Sequence, residues 1–296
     1  MKKALWLGLV WLCCPLELWA FDGNQALQHI QTQLDFGPRY PTSPGHQKTR
    51  QWLIRRLGPL ADRVEKDRWD HEDAHKKVYA LENLVFRFQP QRKQRLILGA
   101  HYDSRRFADK DPADPFAALA GANDSASGVA VLVELAPQLA ALIKGKEWGL
   151  DLVFFDAEEG ELDPKARPWK PIGSIHFASQ LSRFYPELKP QLAIVVDMVC
   201  DKDLQLKFER FSLDSVPKQV WRMWELGAQQ SDGFIAEYGY AIYDDHYPLI
   251  QAGVPALLLI DYDYPAWHTQ ADQIDQCSAK SLQAVGDTLL QFLKTY

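Results

Sequence analysis

Residues 150–161 read LDLVFFDAEEGE. Leu150 to Asp156 is a short apolar run with almost no polar alternation. That is the pattern of a strand covered on both faces, as in a parallel sheet. The run stops at Asp156 and gives way to a turn carrying Glu158 and Glu159. Three further segments share the form: Arg95–Ala100 ahead of His101, Leu192–Val199 with Asp197 inside it, and Pro255–Asp261 ahead of a Tyr264–Thr269 loop. Leu84–Phe88 is a fifth candidate strand.

Between these runs the apolar period changes to that of a helix. Helices are expected over Gln25–Asp35, His46–Leu60, Asp124–Ile143, Ser174–Leu181, Pro217–Gln230 and Ser278–Leu293. In the third of them Val129, Leu132, Val133, Leu135, Ala136 and Leu139 form the apolar face. Phe36–Gly45, Phe107–Ala120 and Gly160–Pro171 read as loops rich in Pro, Gly or Asp. Strands alternating with helices predict a single-domain α/β sandwich, with a mostly parallel central sheet flanked by helices. Sites in such folds lie beyond the carboxyl ends of the strands. His101, Glu158, Glu159, Asp197 and His268 all sit at or just past such ends.

The chain has 296 residues, of which 47% are hydrophobic, enough for one large core. A net charge of −6 and the lack of a basic run exclude nucleic acid and anionic membrane surfaces as expected partners. Residues 1–20 read as an export signal: Lys2 and Lys3, an apolar stretch from Ala4 to Cys14, and cleavage after Ala20. Pro15 and Glu17 interrupt the run, so stable membrane insertion is not expected. Val10–Trp11–Leu12 lacks the small residues that precede a lipidated cysteine, so no lipoprotein is expected. The catalytic domain then covers 21–296, in a periplasmic or secreted protein. Cys200 and Cys277 remain after cleavage, either as a disulfide or as two buried thiols.

Asp124, Glu159 and His268 supply two carboxylates and one imidazole. Such a set leaves a tetrahedral zinc with one open position, the mark of a catalytic site. Taken singly, Asp124 could cap the helix it precedes, and the Glu pair could be a solvated turn. Adjacent side chains on an extended chain point opposite ways. One glutamate can therefore ligate while the other lies beside the open position, suited to acid/base work. Glu159 is assigned to the metal and Glu158 to proton transfer.

HYDSR (101–105), GANDSASG (121–128), FFDAEE (154–159), VVDMV (195–199), DDHYPL (244–249), GVPALLL (253–259) and WHT (267–269) fall in order along the chain. Together they resemble the M28 zinc-peptidase clan and, within it, the bacterial type II glutaminyl cyclases. HYDS, NDSASG and FFDAEE are common to the clan; Asp244–Asp245–His246 and Trp267–His268 are similar to the cyclase branch. The resemblance implies an α/β sandwich and conversion of an N-terminal glutamine to pyroglutamate with release of ammonia. The substrates would be peptides or proteins. It implies one zinc on Asp124, Glu159 and His268, acid/base catalysis by Glu158 with Asp197 and Asp244, and a substrate wall at Trp267. Trp169 is a candidate second wall, displaced from the family spacing. The alternative is an M28 aminopeptidase, in which His101 and Asp197 hold a second zinc and water replaces the substrate amine. Animal cyclases carry a histidine in the strand that here reads Ala256–Leu259, so the surroundings of Asp244 should differ. The sequence sets neither the oligomeric state nor the residue accepted after the glutamine.

Overall fold

The computed structural model describes residues 20–160 and 169–296. The expected export signal, up to residue 19, and residues 161–168 of the Gly160–Pro171 loop lie outside these.

In chain order the elements are α1 (Gly23–Asp35), α2 (Pro44–Leu57), β1 (Arg63–Glu72), β2 (Val78–Phe88), β3 (Gln94–His101), α3 (Ala126–Leu142), β4 (Trp148–Phe155), α4 (Ile172–Ser179), α5 (Leu181–Phe184), β5 (Leu192–Asp197), β6 (Leu206–Phe208), α6 (Arg210–Ser215), α7 (Pro217–Gly227), β7 (Phe234–Tyr238), α8 (His246–Gln251), β8 (Ala256–Ile260) and α9 (Ala279–Thr295). The main sheet runs β1-β2-β4-β3-β5-β8, and β6 and β7 form a separate pair. The pairings β4–β3, β3–β5 and β5–β8 are parallel. The β1–β2 and β2–β4 pairings are antiparallel.

Both faces of the inner strands are buried, which is why their sequences lack polar alternation. Leu96, Leu98, Leu152, Phe154, Ile194 and Leu257 point into one core, with residues of α1, α3, α7 and α9. Their neighbours Ile97, Val153, Phe155, Val195 and Leu258 point into a second core on the other face, with residues of α4, α5 and α8. The expected α/β sandwich is therefore the one observed.

Three strands (β1, β6 and β7) and three short helices (α5, α6 and α8) were not foreseen. β1 reads RVEKDRWDHE, and all but one of its residues are exposed or half-buried. Among the described residues it pairs only with β2, as an edge strand does, so its side chains need no apolar period. β2 extends six residues earlier than expected, through Val78–Asn83, to partner it. β6, β7 and α6 are short and carry too little sequence for a period to emerge. α3 begins at Ala126 after Ser125, so Asp124 is not its capping residue. A disulfide joins Cys200 and Cys277, tying the chain after β5 to the entry of α9. Among the described residues no helix is long and apolar enough to cross a membrane.

Candidate active site

The carboxyl ends of β3, β4, β5 and β8 converge on one cluster. β3 delivers His101, which is almost fully buried. Two residues on, Asp103 is completely buried and accepts hydrogen bonds from the backbone N–H groups of Glu158 (3.0 Å) and Glu159 (3.2 Å). The turn after β4 that presents this pair passes through Ala157 at φ 53°. A left-handed alanine costs on the order of 1–3 kcal/mol, so the surroundings must enforce it. The two Asp103 contacts are part of that enforcement.

Asp124 is fixed from behind. Asp272 accepts from the backbone N–H of Asn123 (2.8 Å) and of Asp124 (3.2 Å), and from the Tyr264 hydroxyl (2.9 Å). The Asp124–Ser125 peptide is cis. The fully buried Arg39 guanidinium donates to the carbonyls of Ala120 (2.6 Å) and Gly121 (2.7 Å), holding the segment that leads in. Burial lowers the Arg39 pKa to about 10.

His268 completes the group. Its Nε2 lies 3.6 Å from Asp124 Oδ2 and 3.7 Å from Glu159 Oε2. On the other side of Asp124, His101 Nε2 lies 3.2 Å from Asp124 Oδ1 and 3.2 Å from Asp197 Oδ1. Two sets of donor atoms thus fall within 4.8 Å of one another: Asp124, Glu159 and His268, and His101, Asp124 and Asp197. Asp124 belongs to both.

The electrostatics suit a cation. Burial, reinforced by Asp244, Asp245 and Glu159 and opposed by His101, holds Glu158 well above the usual carboxylate range. Burial and Asp124 do the same to Glu159, against Arg105. Burial, with Asp197 and Asp245, raises Asp244 well above its usual value, and burial raises Asp245 to about 7. Asp124 moves the other way, to about 2, because His101 and His268 outweigh its burial. Buried carboxylates this close repel one another unless protonated or neutralised by a positive charge. Glu159 Oε1 is also buried without a hydrogen-bond partner among the described residues. An orphaned buried acceptor beside a second carboxylate and an imidazole fits a divalent ion of borderline softness such as zinc.

The cluster floors a cavity of about 400 Å³. Asp124, Glu158, Glu159, Asp197, Asp244 and His268 line its polar side. Trp169, Trp267, Tyr243, Ile242 and Ile260 line the apolar side. Trp267 packs against the His268 ring at 4.1 Å, and Trp169 meets Tyr243 edge-on at 5.8 Å. A larger cleft of about 580 Å³ beside α2 and β1 holds Arg50, Lys66 and Arg68 but, among the described residues, no carboxylate–imidazole group.

The structure therefore brings together every candidate read from the sequence, including Trp169 at its unusual spacing. Asp245, at the start of α8, makes no side-chain cap hydrogen bond. The strand position that carries a histidine in animal cyclases lies in the fully buried apolar β8. His246, two residues after Asp244 in sequence, pairs instead with Glu209, its Nε2 lying 3.0 Å from Oε2. Sequence reasoning assigned no role to Asp103, Arg105, Asp109, Asp245 or Asp272. Asp103 had a legible signal, because it lies two residues past His101 in the HYDSR motif, at a strand's carboxyl end.

Residues 83–293 match the profile of Peptidase family M28. A glutaminyl-peptide cyclotransferase of Bos taurus is 27% identical over 297 residues, covering 87% of this chain and 78% of that protein. The crystal structure of Tannerella forsythia glutaminyl cyclase superposes with a TM-score of 0.85 at 31% identity, covering 94% of this chain and 100% of that one. A leucine aminopeptidase precursor from Bacteroides thetaiotaomicron superposes with a TM-score of 0.86 at 27% identity, covering 94% and 99%.

Proposed function

The chain belongs to peptidase family M28, and on that premise we propose that it is a zinc-dependent glutaminyl-peptide cyclotransferase. It converts the N-terminal glutamine of peptides or proteins to pyroglutamate and releases ammonia. The observation that carries this reading is the cavity itself. A small aromatic-walled pocket is lined by Glu158, Asp197 and Asp244, and the chain is similar to a glutaminyl cyclase over nearly its whole length.

Asp124, Glu159 and His268 would hold the zinc. Bound there, the ion supplies Lewis acidity to polarise the side-chain carboxamide of the substrate. Glu158 takes a proton from the attacking α-amine and returns it to the departing ammonia. A buried carboxyl at the cavity floor, beside the proposed metal position, is placed for both halves of that transfer. Asp197 and Asp244 line the same floor and orient the amine and its proton. Trp267 and Trp169 hold the aliphatic part of the closing ring and exclude water, so positioning supplies much of the rate.

A second reading rests on the His101–Asp124–Asp197 group, which has the composition of a second metal site. With two ions the same Glu158 would activate water, as an aminopeptidase requires. One substrate distinguishes the two. A glutaminyl peptide that loses ammonia and keeps all its residues has been cyclised; release of free glutamine would mean hydrolysis. Mass spectrometry of the product decides.

We also place the mature chain outside the cytoplasm, in a periplasm or secreted. The leader-like composition of residues 1–20 and the Cys200–Cys277 disulfide support that placement. Recovery from the periplasmic or secreted fraction with Phe21 as its first residue tests it.

A further inference from the structure

We propose that the segment Arg105–Lys110 is a clasp that sets the zinc affinity of the site, with Asp109 as its positioning residue. This rests on the assignment of Glu159 and His268 as ligands.

The segment touches both ligands and the pocket wall. Arg105 Nη1 donates to Glu159 Oε2 at 3.0 Å. The same guanidinium grips Asp109 at both oxygens, Nε to Oδ1 at 2.8 Å and Nη2 to Oδ2 at 2.7 Å. Asp109 Oδ1 in turn lies 3.1 Å from His268 Nδ1. A continuous path of polar contacts therefore runs from one candidate ligand, through Arg105 and Asp109, to the other.

The consequence for His268 is specific. An imidazole whose Nδ1–H is held by a carboxylate presents its Nε2 lone pair outward, and Nε2 is the atom that faces Asp124 and Glu159. The backbone needs holding as well, since His268 sits at φ 59°. The Lys110 N–H supplies a hold by donating to the His268 carbonyl at 3.2 Å. Lys110 Nζ also stands 3.3 Å over the Trp267 ring, so the same segment braces the wall.

Asp109→Ala removes the acceptor. Asp109→Asn keeps one carbonyl oxygen that can still receive the His268 Nδ1–H and the Arg105 Nε–H, but its amide cannot receive Arg105 Nη2, so it serves as a partial rescue. Zinc dissociation constants are measured by competition with a fluorescent chelator, with melting temperatures of each protein with and without zinc. The expected result is a roughly 10- to 100-fold weaker zinc complex for Asp109→Ala, a smaller thermal gain on adding zinc, and Asp109→Asn between Asp109→Ala and wild type. Zinc binding by Asp109→Ala within about twofold of wild type would overturn the clasp, as would an Asp109→Asn protein as weak as Asp109→Ala. A wild-type chain that binds no zinc would instead overturn the ligand assignment beneath it.

Discussion

Replacing Asp103 with asparagine tests how the acidic pair is held. The carboxylate of Asp103 is fully buried and takes one backbone N–H on each oxygen, from Glu158 and from Glu159. Asparagine has nearly the same shape but only one acceptor oxygen, and its amide group cannot receive an N–H. One of the two backbone donors is therefore left buried and unpaired, at a cost of about 1–3 kcal/mol. The remaining bond also loses its charge assistance. The combined destabilisation is about 2–3 kcal/mol, or a melting temperature lower by roughly 5–10 °C for a chain of this size. Function should suffer more than stability. If the turn relaxes by about 1 Å, Glu158 leaves the reacting proton, and a displacement of that size costs on the order of 100-fold in kcat/KM. Thermal unfolding and steady-state cyclisation of a glutaminyl peptide measure the two effects. An Asp103→Asn protein within about 0.5 kcal/mol of wild type and within about twofold in kcat/KM would refute the role given to Asp103.

Three other perturbations have defined outcomes. Trp267→Ala opens the apolar wall beside His268, and should lower kcat/KM for a glutaminyl peptide by about 10- to 100-fold, or about 1.4–2.7 kcal/mol, with zinc content unchanged. Glu209 has its pKa lowered from 4.5 to about 2 because His246, Ser212 and a backbone N–H outweigh its burial. Its contribution is therefore fully present above about pH 4.5 and disappears as pH falls towards 2. Chemical unfolding from pH 6 to pH 2 should show a loss on the order of 3 kcal/mol that is absent in Glu209→Gln. Cys200→Ser removes a cross-link spanning 77 residues and should cost about 2–4 kcal/mol. Reduction of the wild-type disulfide should give the same shift in unfolding.

The inner strands were legible because both of their faces are buried, so each appears as an unbroken apolar run. β1 was not, because an exposed edge strand has a nearly random polar sequence. The zinc-type donors were legible because each follows such a run, and the motifs around them resemble a known family. Asp103 lay inside a quoted motif, two residues past His101, at the same strand end. Asp109 stood among several aspartates in ADKDPADP, and nothing local separates the one that meets His268 from Asp111 or Asp114. Arg105 and Asp272 act on partners more than 50 residues away in sequence, and a contact of that range leaves no period to detect. The Cys200–Cys277 pairing likewise depended on a distance that only the fold provides.

The central claim is that this cavity cyclises glutamine with one metal ion. The most direct test is to count zinc per chain across a zinc titration while following two rates on the same samples: ammonia release from a glutaminyl peptide and cleavage of a leucyl anilide. The account predicts that cyclisation saturates at about one zinc per chain with no leucyl cleavage. Leucyl cleavage that grows as the count approaches about two would contradict it, and would make His101 and Asp197 ligands of a second ion.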